Sequence, residues 1–256
     1  MKRTKKYAVI TGASSGLGAE FAKKLSKRGY TLILIARREE RLKKLADHLH
    51  AESEIIPADL TELSECERIY DILKDKKIEI FINNAGFGDC APFIEGSLKK
   101  EQQMIQLNIQ AVHFFTKKML QKMQKSDSGY ILNVASSAGL IPAGPYMAVY
   151  YATKAYVTSL TRAIAAELQE CGSHVYVGCL CPGPVKTEFD SVANVKFALK
   201  GISAGYCTGY ALSQMKKRKT VIIPTIRMKL AINAGRILPA EYYIRFVSHK
   251  QKRKIY

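Results

Sequence analysis

Residues 7–18 read YAVITGASSGLG, an apolar run followed by a turn rich in glycine. The apolar run is typical of a buried strand, and the residues after the turn follow helical spacing, with apolar side chains at Phe21, Ala22 and Leu25. Between a strand and a helix, glycines let the backbone turn tightly and approach a phosphate, which the helix N-terminus can hold. The stretch predicts a strand–turn–helix unit that binds a nucleotide phosphate, with an ordinary glycine loop as the alternative; its glycines are Gly12, Gly16 and Gly18.

Similar apolar runs recur along the chain, and helical stretches separate them. This alternation predicts an α/β protein of the doubly wound kind, in which one parallel sheet carries helices on both faces. In such sheets ligands bind beyond the carboxyl ends of the strands. The remaining strand candidates are TLILIA (31–36), EIIPAD (54–59), IEIFINNAG (78–86), GYILNVASS (129–137), HVYVGCLCPG (174–183) and an edge strand TVIIP (220–224).

The length of 256 residues allows one sizeable core, so residues 1–256 are predicted to form a single domain. Residues 184–218 are predicted to be a mostly helical insertion that covers the substrate, and residues 219–256 a basic amphipathic extension. From Lys216 onward twelve Lys and Arg face one acid, so much of the net charge of +18 lies in this extension. We expect it to be a solvated face, a peripheral contact with a membrane surface or a region that attracts acidic substrates, and we expect no nucleic acid.

The composition, 47% hydrophobic and 24% charged, is that of an ordinary globular protein. The apolar run after the basic N-terminus is too short for a signal peptide, and no run is long enough to span a bilayer, so the predicted location is cytoplasmic. The six cysteines lack paired spacing and are predicted to be reduced, buried thiols without a metal; Cys179 and Cys181 would share one face of a strand.

Arg37 and Arg38 follow the second predicted strand, where an NAD-binding protein would carry an acid for the ribose hydroxyls. A carboxylate at this place repels a 2′-phosphate, whereas a guanidinium binds it through charge-assisted hydrogen bonds. The sequence therefore favours NADP(H) over NAD(H). The alternative is that both arginines are solvated.

The stretch YYATK (150–154) places a lysine one helical turn from a tyrosine. Residues four apart share a helix face, so Lys154 lies beside Tyr150 and away from Tyr151. A phenol has a pKa near 10. A positive charge about 4 Å away lowers that pKa by roughly three units at a partly buried site, but by much less in water. The pair can therefore serve as a proton donor or acceptor near neutral pH only inside a cleft.

The chain resembles the classical short-chain dehydrogenase/reductase (SDR) family over essentially its whole length. The resemblance is carried by several motifs in order: TGASSGLG (11–18), NNAG (83–86), LNIQA (107–111), NVASS (133–137), YYATK (150–154) and CPGPVKT (181–187). It implies a Rossmann-type sheet, a nicotinamide cofactor, hydride transfer to or from a carbonyl or alcohol, and assembly into homodimers or homotetramers.

The resemblance also implies roles for individual residues. Tyr150 would be the acid or base, Lys154 would lower its pKa and bind the nicotinamide ribose, Ser136 would hold the substrate oxygen, and Asn108 would anchor a water relay. The spacing from the tyrosine leaves Ser137 as the alternative to Ser136. The other cofactor-binding positions implied are Ser14, Ser15 and Leu17 in the turn, Asp59 and Leu60 at the adenine, Asn84, Ala85 and Gly86 at the ribose, and Pro182, Gly183, Val185 and Thr187, of which the last two would hold the carboxamide.

The predicted substrate loops are 87–96, 140–149 and 189–206, and they are rich in large apolar side chains. Such a lining suits a bulky apolar ligand, although these residues could also simply pack the lid. The residues concerned are Phe87, Phe93, Ile141, Tyr146, Met147, Phe189, Phe197 and Leu199.

The sequence thus predicts an NADP(H)-dependent oxidoreductase acting on a hydroxysteroid or a similar lipophilic ketone or alcohol. A fatty-acid-type reductase of 3-oxoacyl compounds is the alternative within the same chemistry. A third possibility is a non-catalytic protein that senses NADP or binds nucleic acid; the intact set of Ser136, Tyr150 and Lys154 argues against it, because a sensor needs no proton donor.

Overall fold

A computed structural model of the protein describes residues 5–189, 193 and 201–252. In this part of the chain seven parallel strands form one sheet in the order β3-β2-β1-β4-β5-β6-β9. The order reverses between β1 and β4, which opens a crevice at the carboxyl ends of these two strands. The strands are β1 (Tyr7–Thr11), β2 (Thr31–Ala36), β3 (Ser53–Pro57), β4 (Ile78–Asn83), β5 (Tyr130–Val134), β6 (Tyr176–Leu180), β7 (Val185–Lys186), β8 (Ile202–Ser203) and β9 (Val221–Ile222).

Helices cover both faces of this sheet, as the alternating pattern predicts. One apolar core lies between the sheet and α1, α2 and α7, and the other lies between the sheet and α3, α5 and α6. The helices are α1 (Gly16–Ser26), α2 (Glu39–Ala46), α3 (Leu63–Leu73), α4 (Leu98–Ile105), α5 (Val112–Gln124), α6 (Ala148–Glu170), α7 (Ala204–Lys216), α8 (Ile226–Gly235) and α9 (Ala240–Lys252).

β2 illustrates why these residues form strands covered on both sides. Its β-branched and leucine side chains alternate between the two cores, with Leu32 and Leu34 on one face and Ile33 and Ile35 on the other. All four are completely buried. A strand with two buried faces needs no polar alternation, so the continuous run TLILIA predicted it correctly.

Several predicted strands are too long at their carboxyl ends. The run 78–86 forms a strand only to Asn83, and the run 129–137 only to Val134. The residues beyond those points leave the ladder and turn into the crevice. The polar ends of these runs therefore belong to the candidate site and not to the sheet.

Of the predicted insertion at 184–218, the structure describes residues 184–189, 193 and 201–218. α7 is helical, but β7 and β8 pair as a small separate parallel sheet. Phe197 and Leu199, which were predicted to line the substrate site, lie outside the described residues. After the short edge strand β9, the predicted basic extension folds into α8 and α9.

None of the helices in the described ranges combines the length and the apolar character needed to cross a bilayer. All six cysteines are described and none is in a disulfide; five are buried, but Cys171 is exposed because it lies at the end of α6. The sulfur atoms of Cys179 and Cys181 are 3.8 Å apart, which agrees with the predicted common face.

Candidate active site

The glycine turn between β1 and α1 is shaped for close approach of its backbone. Gly12 and Gly16 have φ angles of +64° and +54°, which favour glycine. A Cβ atom on Gly12 would lie 2.8 Å from the Cα atom of Ala85, and one on Gly18 would collide with the carbonyl oxygen of Gly12. Gly18 thus packs the turn against the helix, while Gly12 brings β1 close to the residues after β4.

The N-terminus of α1 suits an anionic ligand. The helix begins at Gly16 and has no acidic residue in its first turn. Within the described residues, the side chain of Ser15 caps no backbone N–H group of this helix. The first N–H groups and the positive end of the helix dipole can therefore hold a phosphate of a dinucleotide.

Arg38 and Arg41 form a cationic cluster beside this turn. The guanidinium of Arg38 donates to the hydroxyl groups of Ser15 at 3.0 Å and Ser14 at 3.3 Å. Arg38 and Arg41 both pair with Glu188, at 3.2 Å and 2.6 Å. The sequence analysis missed Arg41, although its position three residues after Arg38 would have placed it on the same side of α2.

Arg37 points to a different part of the site than Arg38 does. Its guanidinium lies 3.7 Å from the carboxylate of Asp59, a long ion pair between exposed groups. Asp59 also accepts hydrogen bonds from the backbone N–H group and the hydroxyl of Thr61, at 3.0 and 2.9 Å. Arg38 and Arg41, rather than Arg37, are thus grouped near the phosphate-binding turn.

The NNAG segment is held against β1 by its own hydrogen bonds. The hydroxyl of Thr11 accepts from the backbone N–H groups of Asn84 and Ala85 at 2.9 and 3.0 Å. The side-chain amide of Asn84 donates to the carbonyl of Thr11 at 2.9 Å. These bonds fix the wall of the crevice, so the side chain of Asn84 serves the wall as well as bordering the cavity.

Tyr150 and Lys154 lie one turn apart on α6, with both side chains buried. The Nζ atom of Lys154 is 5.8 Å from the centre of the Tyr150 ring and donates to the carbonyl of Val134 at 2.9 Å. Ser136 lies on the same cavity wall as Tyr150, and its hydroxyl acts to lower the pKa of that phenol. The strand end of β5 and the face of α6 therefore bring the three predicted groups together.

Burial governs the pKa values of Tyr150 and Lys154 in the protein alone. Burial raises the pKa of Tyr150 to about 12, although the hydrogen bond from Ser136 acts to lower it. Burial also lowers the pKa of Lys154 to about 8, against the effect of Cys181, which raises it. In the protein alone, loss of hydration dominates at this site, and the lowering of the tyrosine pKa by Lys154 stays a prediction.

The structure distinguishes the two candidate serines. The Ser136 hydroxyl acts to lower the pKa of Tyr150, and it accepts a hydrogen bond from the backbone N–H of Ala138 at 3.2 Å. Ser137 begins a short 3₁₀ helix, and its N–H donates to the carbonyl of Pro182 at 2.8 Å. Both border the cavity, but Ser136 is the one that reaches the tyrosine.

Asn108 lies in a π-helical segment (Gln106–Ala111) between α4 and α5 and is completely buried. Its side-chain oxygen accepts from the N–H of Phe87 at 3.1 Å, and its amide donates to the Phe87 carbonyl at 2.9 Å and to Thr153 at 3.1 Å. Asn108 therefore does not line the cavity. It links the loop after β4 to α6 one residue from Lys154, and short π-helical segments are frequent at functional sites.

One cavity of about 530 Å³ runs across these elements. It is lined by every predicted cofactor-binding residue except Gly18 and by every predicted catalytic residue except Asn108. The predicted residues on its wall are Gly12, Ser14, Ser15, Gly16, Leu17, Arg37, Arg38, Asp59, Leu60, Asn84, Ala85, Gly86, Ser136, Tyr150, Lys154, Pro182, Gly183, Val185 and Thr187.

The far end of the cavity is mainly apolar. Four of the predicted substrate-loop residues line it: Phe87, Ile141, Met147 and Phe189. Phe93 and Tyr146 do not line this cavity, and Phe93 is largely exposed. Residues of α8 and α9 complete the wall, and the sequence analysis missed them: Met228, Ala231, Tyr243, Phe246, Val247, Lys250 and Gln251.

Comparison with known proteins shows that this chain is similar to short-chain dehydrogenases and other oxidoreductases. A model of the short chain dehydrogenase family matches residues 6–196. An uncharacterized oxidoreductase of Staphylococcus epidermidis is 35% identical over 73% of this chain and 80% of its own length. A very-long-chain 3-oxoacyl-CoA reductase of Anas platyrhynchos is 34% identical over 75% of this chain and 63% of its own length.

A solved structure gives the same fold. The short-chain dehydrogenase from Sphingobium yanoikuyae in complex with NADPH superimposes with a TM-score of 0.81 at 30% identity, and covers 91% of this chain and 94% of its own. Sequence and structure therefore agree on one family.

Proposed function

Because the chain belongs to the short chain dehydrogenase family of oxidoreductases, we propose that it interconverts ketones and secondary alcohols of bulky lipophilic molecules, such as hydroxysteroids, using NADP(H). The observation that carries the proposal is one cavity with Ser136, Tyr150 and Lys154 on its wall, a phosphate-binding turn at one end and an apolar lining at the other. A nicotinamide cofactor fits the first end, and a carbonyl substrate fits the second.

The residues present suit NADP(H). The turn and the N-terminus of α1 would hold the pyrophosphate, and Arg38 and Arg41 would bind the 2′-phosphate. Asp59 and Leu60 would border the adenine, Asn84, Ala85 and Gly86 the ribose, and Val185 and Thr187 the carboxamide. When bound, the cofactor supplies or accepts the hydride.

The protein's own contribution is the proton and the orientation of the substrate. Ser136 would hold the substrate oxygen, and the neutral phenol of Tyr150 would donate its proton to that oxygen during ketone reduction. A pKa of about 12 keeps this phenol protonated at neutral pH. Lys154, charged below its pKa of about 8, would stabilise the phenolate that forms.

Asn108 would act as a positioning residue in this scheme. It ties the backbone of Phe87, at the cavity, to Thr153, which precedes Lys154 on α6. Buried amide groups with all their hydrogen bonds made fix their neighbours tightly. This role supports the geometry, while the water relay implied by the family resemblance stays a prediction.

The substrate class is argued from the apolar end of the cavity. Phe87, Ile141, Met147 and Phe189 from the loops meet Val247 from α9 there. A sugar would leave most of its hydroxyl groups unpaired against such a wall, whereas a fused-ring ketone would bury apolar surface. This supports a lipophilic substrate.

The decisive experiment is a panel of substrates followed through the absorbance of NADPH. We expect turnover with ketosteroids and comparable bulky ketones, and little with small sugars. Activity confined to 3-oxoacyl thioesters would overturn the steroid proposal and favour the second candidate, while inactivity across both panels would favour a non-catalytic NADP sensor.

That second candidate, a 3-oxoacyl thioester reductase, is favoured by a specific observation. The Anas platyrhynchos relative carries that activity in its name, and the exposed side chain of Lys250 lies on the cavity wall. A cation at the cavity would suit the phosphates of an acyl-CoA.

The preference for NADP(H) has its own test. Replacing Arg38 with Asp should weaken NADPH binding by at least tenfold and leave NADH binding nearly unchanged, because only the former carries the 2′-phosphate. Arg28→Asp, an exposed arginine at the opposite end of α1, is the matched control. Equal losses for both cofactors would contradict the assignment.

A further inference from the structure

The two C-terminal helices, α8 and α9, carry an unusual surface of exposed apolar side chains. Six of the large hydrophobic residues that are exposed in the described part of the chain fall between 226 and 246, and Ile237 is 87% exposed. We call them the C-terminal apolar surface: Ile226, Leu230, Ile237, Leu238, Tyr242 and Phe246.

Four of these side chains follow the helical repeat, and all six are exposed. Ile226 and Leu230 are four residues apart on α8, and Tyr242 and Phe246 are four apart on α9. The buried residues lie elsewhere on each helix, at Ile232 and Gly235 on α8 and at Tyr243, Val247 and Gln251 on α9. Each helix therefore has one face for the protein and an apolar strip facing outward.

The two helices pack closely against each other. A Cβ atom on Gly235 would collide with the ring of Tyr243, so α9 crosses α8 in direct contact at this glycine. Ile237 and Leu238 lie in the short connection between them. The exposed apolar residues thus belong to one unit, which consists of two packed helices and their short connection.

Basic side chains accompany this surface. Residues 226–252 contain six Lys and Arg and a single acid, Glu241. All six are exposed, and within the described ranges none of them forms an ion pair. The Nζ atom of Lys250 lies 4.4 Å from the centre of the Phe246 ring, so a cation and an aromatic group stand together.

We infer that the helix pair α8–α9 docks on the surface of a bilayer that contains anionic lipids. The apolar side chains would enter the boundary between headgroups and acyl chains, and the lysines and arginines would meet the lipid phosphates. The basic side chains favour an anionic bilayer over a purely apolar partner. Cations without an ion pair, next to exposed apolar side chains, complement a negatively charged interface. A nucleic acid would meet the cations but would leave Ile226 and Ile237 in water.

The helix pair that would contact the bilayer also borders the cavity. The same two helices complete the wall of the cavity through Met228, Ala231, Tyr243 and Phe246. Phe246 belongs both to the C-terminal apolar surface and to the cavity wall. A lipophilic substrate dissolved in the bilayer would therefore meet the protein where its cavity is bordered by these helices.

The test uses the absence of tryptophan from the chain. A single tryptophan placed by Ile237→Trp reports on its own surroundings in the full-length protein. With vesicles of phosphatidylcholine and 30% phosphatidylglycerol (a composition of roughly physiological negative charge), we expect its emission to shift to the blue, and with phosphatidylcholine alone we expect little shift. Ile94→Trp, at a residue that is 92% exposed and far along the chain from this unit, should not respond.

A second measurement separates the possible occupants. In sedimentation with the same vesicles, the double variant Leu230→Ser/Ile237→Ser should lose at least tenfold in partitioning, while Ile94→Ser should match the unsubstituted protein. Neither Leu230 nor Ile237 borders the cavity, so turnover of a water-soluble ketone should be unchanged by their replacement. Vesicle binding needs no turnover, so it can fail or succeed independently of the proposed enzymatic function.

Three results would overturn the inference. The first is the same weak sedimentation of all variants with anionic vesicles. The second is a dimer in light scattering that Ile237→Ser converts to a monomer without any vesicle binding, which would assign the surface to a second copy of the chain. The third is binding to duplex DNA with no affinity for vesicles.

Discussion

At the scale of single residues, the proposed reaction depends on Tyr150, which would be its proton donor. Its phenol is buried, has a pKa raised to about 12 and shares the cavity wall with Ser136. A group in this state is ready to give a proton to a carbonyl oxygen, and the energetic difficulty lies in stabilising the phenolate afterwards. The buried ammonium of Lys154 is placed to provide that stabilisation.

Tyr150→Phe should reduce turnover by about 10²- to 10⁴-fold, the usual contribution of a general acid, and leave NADPH affinity nearly unchanged. The measurement is a pair of assays, steady-state turnover and NADPH fluorescence titration. Tyr156→Phe makes the same chemical change on the same helix at a residue that bonds His113 and does not border the cavity, and it should keep full activity. Equal turnover in the Tyr150 variant would disprove the assigned role.

Lys154 should cost the protein stability at neutral pH. Its pKa falls from the ordinary 10.5 to about 8 because the charged form loses its hydration. This shift corresponds to about 3 kcal/mol at 1.36 kcal/mol per unit. Lys154→Met should therefore raise the free energy of unfolding in urea at pH 7 by up to about 3 kcal/mol while abolishing turnover.

The sign of the pH dependence follows from the same shift. Between about pH 8 and 10.5 the unfolded chain holds the proton and the folded protein has released it, so the unsubstituted protein gains stability as the pH rises through this window. The advantage of Lys154→Met should shrink over that range and vanish above it. A constant difference between the two proteins from pH 7 to 10.5 would show that burial of the charge is not the cause.

Individual residues differ in how far the sequence could predict them. Spacing identified Tyr150 and Lys154 because residues four apart share a helix face. The direction of the Tyr150 pKa could not be predicted, since it depends on how completely the fold removes water from the phenol. Asn83 shows the same limit: it lies in the NNAG motif, yet its amide is buried and bonds Asn133 at 2.8 Å and Thr116 at 3.2 Å, away from the cavity.

At the scale of secondary-structure elements, the contact between α6 and the 3₁₀ helix (Ser137–Leu140) positions the candidate catalytic groups. Gly139 lies in this short helix, and a Cβ atom there would collide with the backbone carbonyl of Lys154 and lie 2.6 Å from the hydroxyl of Thr158. Backbone atoms cannot move aside as a flexible side chain can. The absence of a side chain at this position therefore sets the distance between Ser136 and Tyr150.

Gly139→Ala should destabilise the protein by about 1–3 kcal/mol, as overpacked substitutions do, and should lower turnover because α6 is pushed away from Ser136. Chemical denaturation measures the first effect, and a steady-state assay measures the second. Gly209→Ala is the matched control, because its Cβ would meet only the side chain of Lys24, at 3.5 Å and beyond, in the middle of α7. That variant should be neutral or more stable by up to about 1 kcal/mol.

The strands with continuous apolar runs could be predicted from the sequence, but the conformation of the residues at their carboxyl ends could not. The runs that became β1, β2 and β6 are apolar enough to need burial on both faces. The carboxyl ends of β4 and β5 leave the ladder because Asn84 and Ala85 bond Thr11 and because Ser136 caps a 3₁₀ turn. Such tertiary and side-chain bonds compete with strand pairing and leave no mark in hydrophobic periodicity.

At the scale of the whole molecule, the net charge of +18 should attract a polyanionic cofactor. We expect the KM for NADPH to rise several-fold between 50 and 500 mM NaCl, because salt shortens the reach of the protein's field to a few ångströms. The KM for an uncharged ketone provides the control and should change little. A KM for NADPH that is independent of salt would show that the field has no part in binding.

The overall architecture followed from the sequence because strand and helix signals alternate and because several motifs point to one family. The wall made by α8 and α9 could not be predicted in this way. Their apolar residues read as an amphipathic extension, and only the fold shows that Tyr243 and Val247 close a cavity whose other walls come from the loops after β4, β5 and β6. Long-range packing of a tail against loops has no local signature.

Glu188 pairs with Arg38 and Arg41, so a carboxylate of the protein itself already occupies the proposed phosphate site. When NADPH binds, its 2′-phosphate would replace that carboxylate. Both guanidinium groups would therefore have an anionic partner before and after binding. A dinucleotide that lacks this phosphate would leave the ion pairs with Glu188 in place. Competition with Glu188 would therefore lower the affinity for NADPH and not that for NADH, so the preference for NADPH would be smaller than the two arginines alone would give.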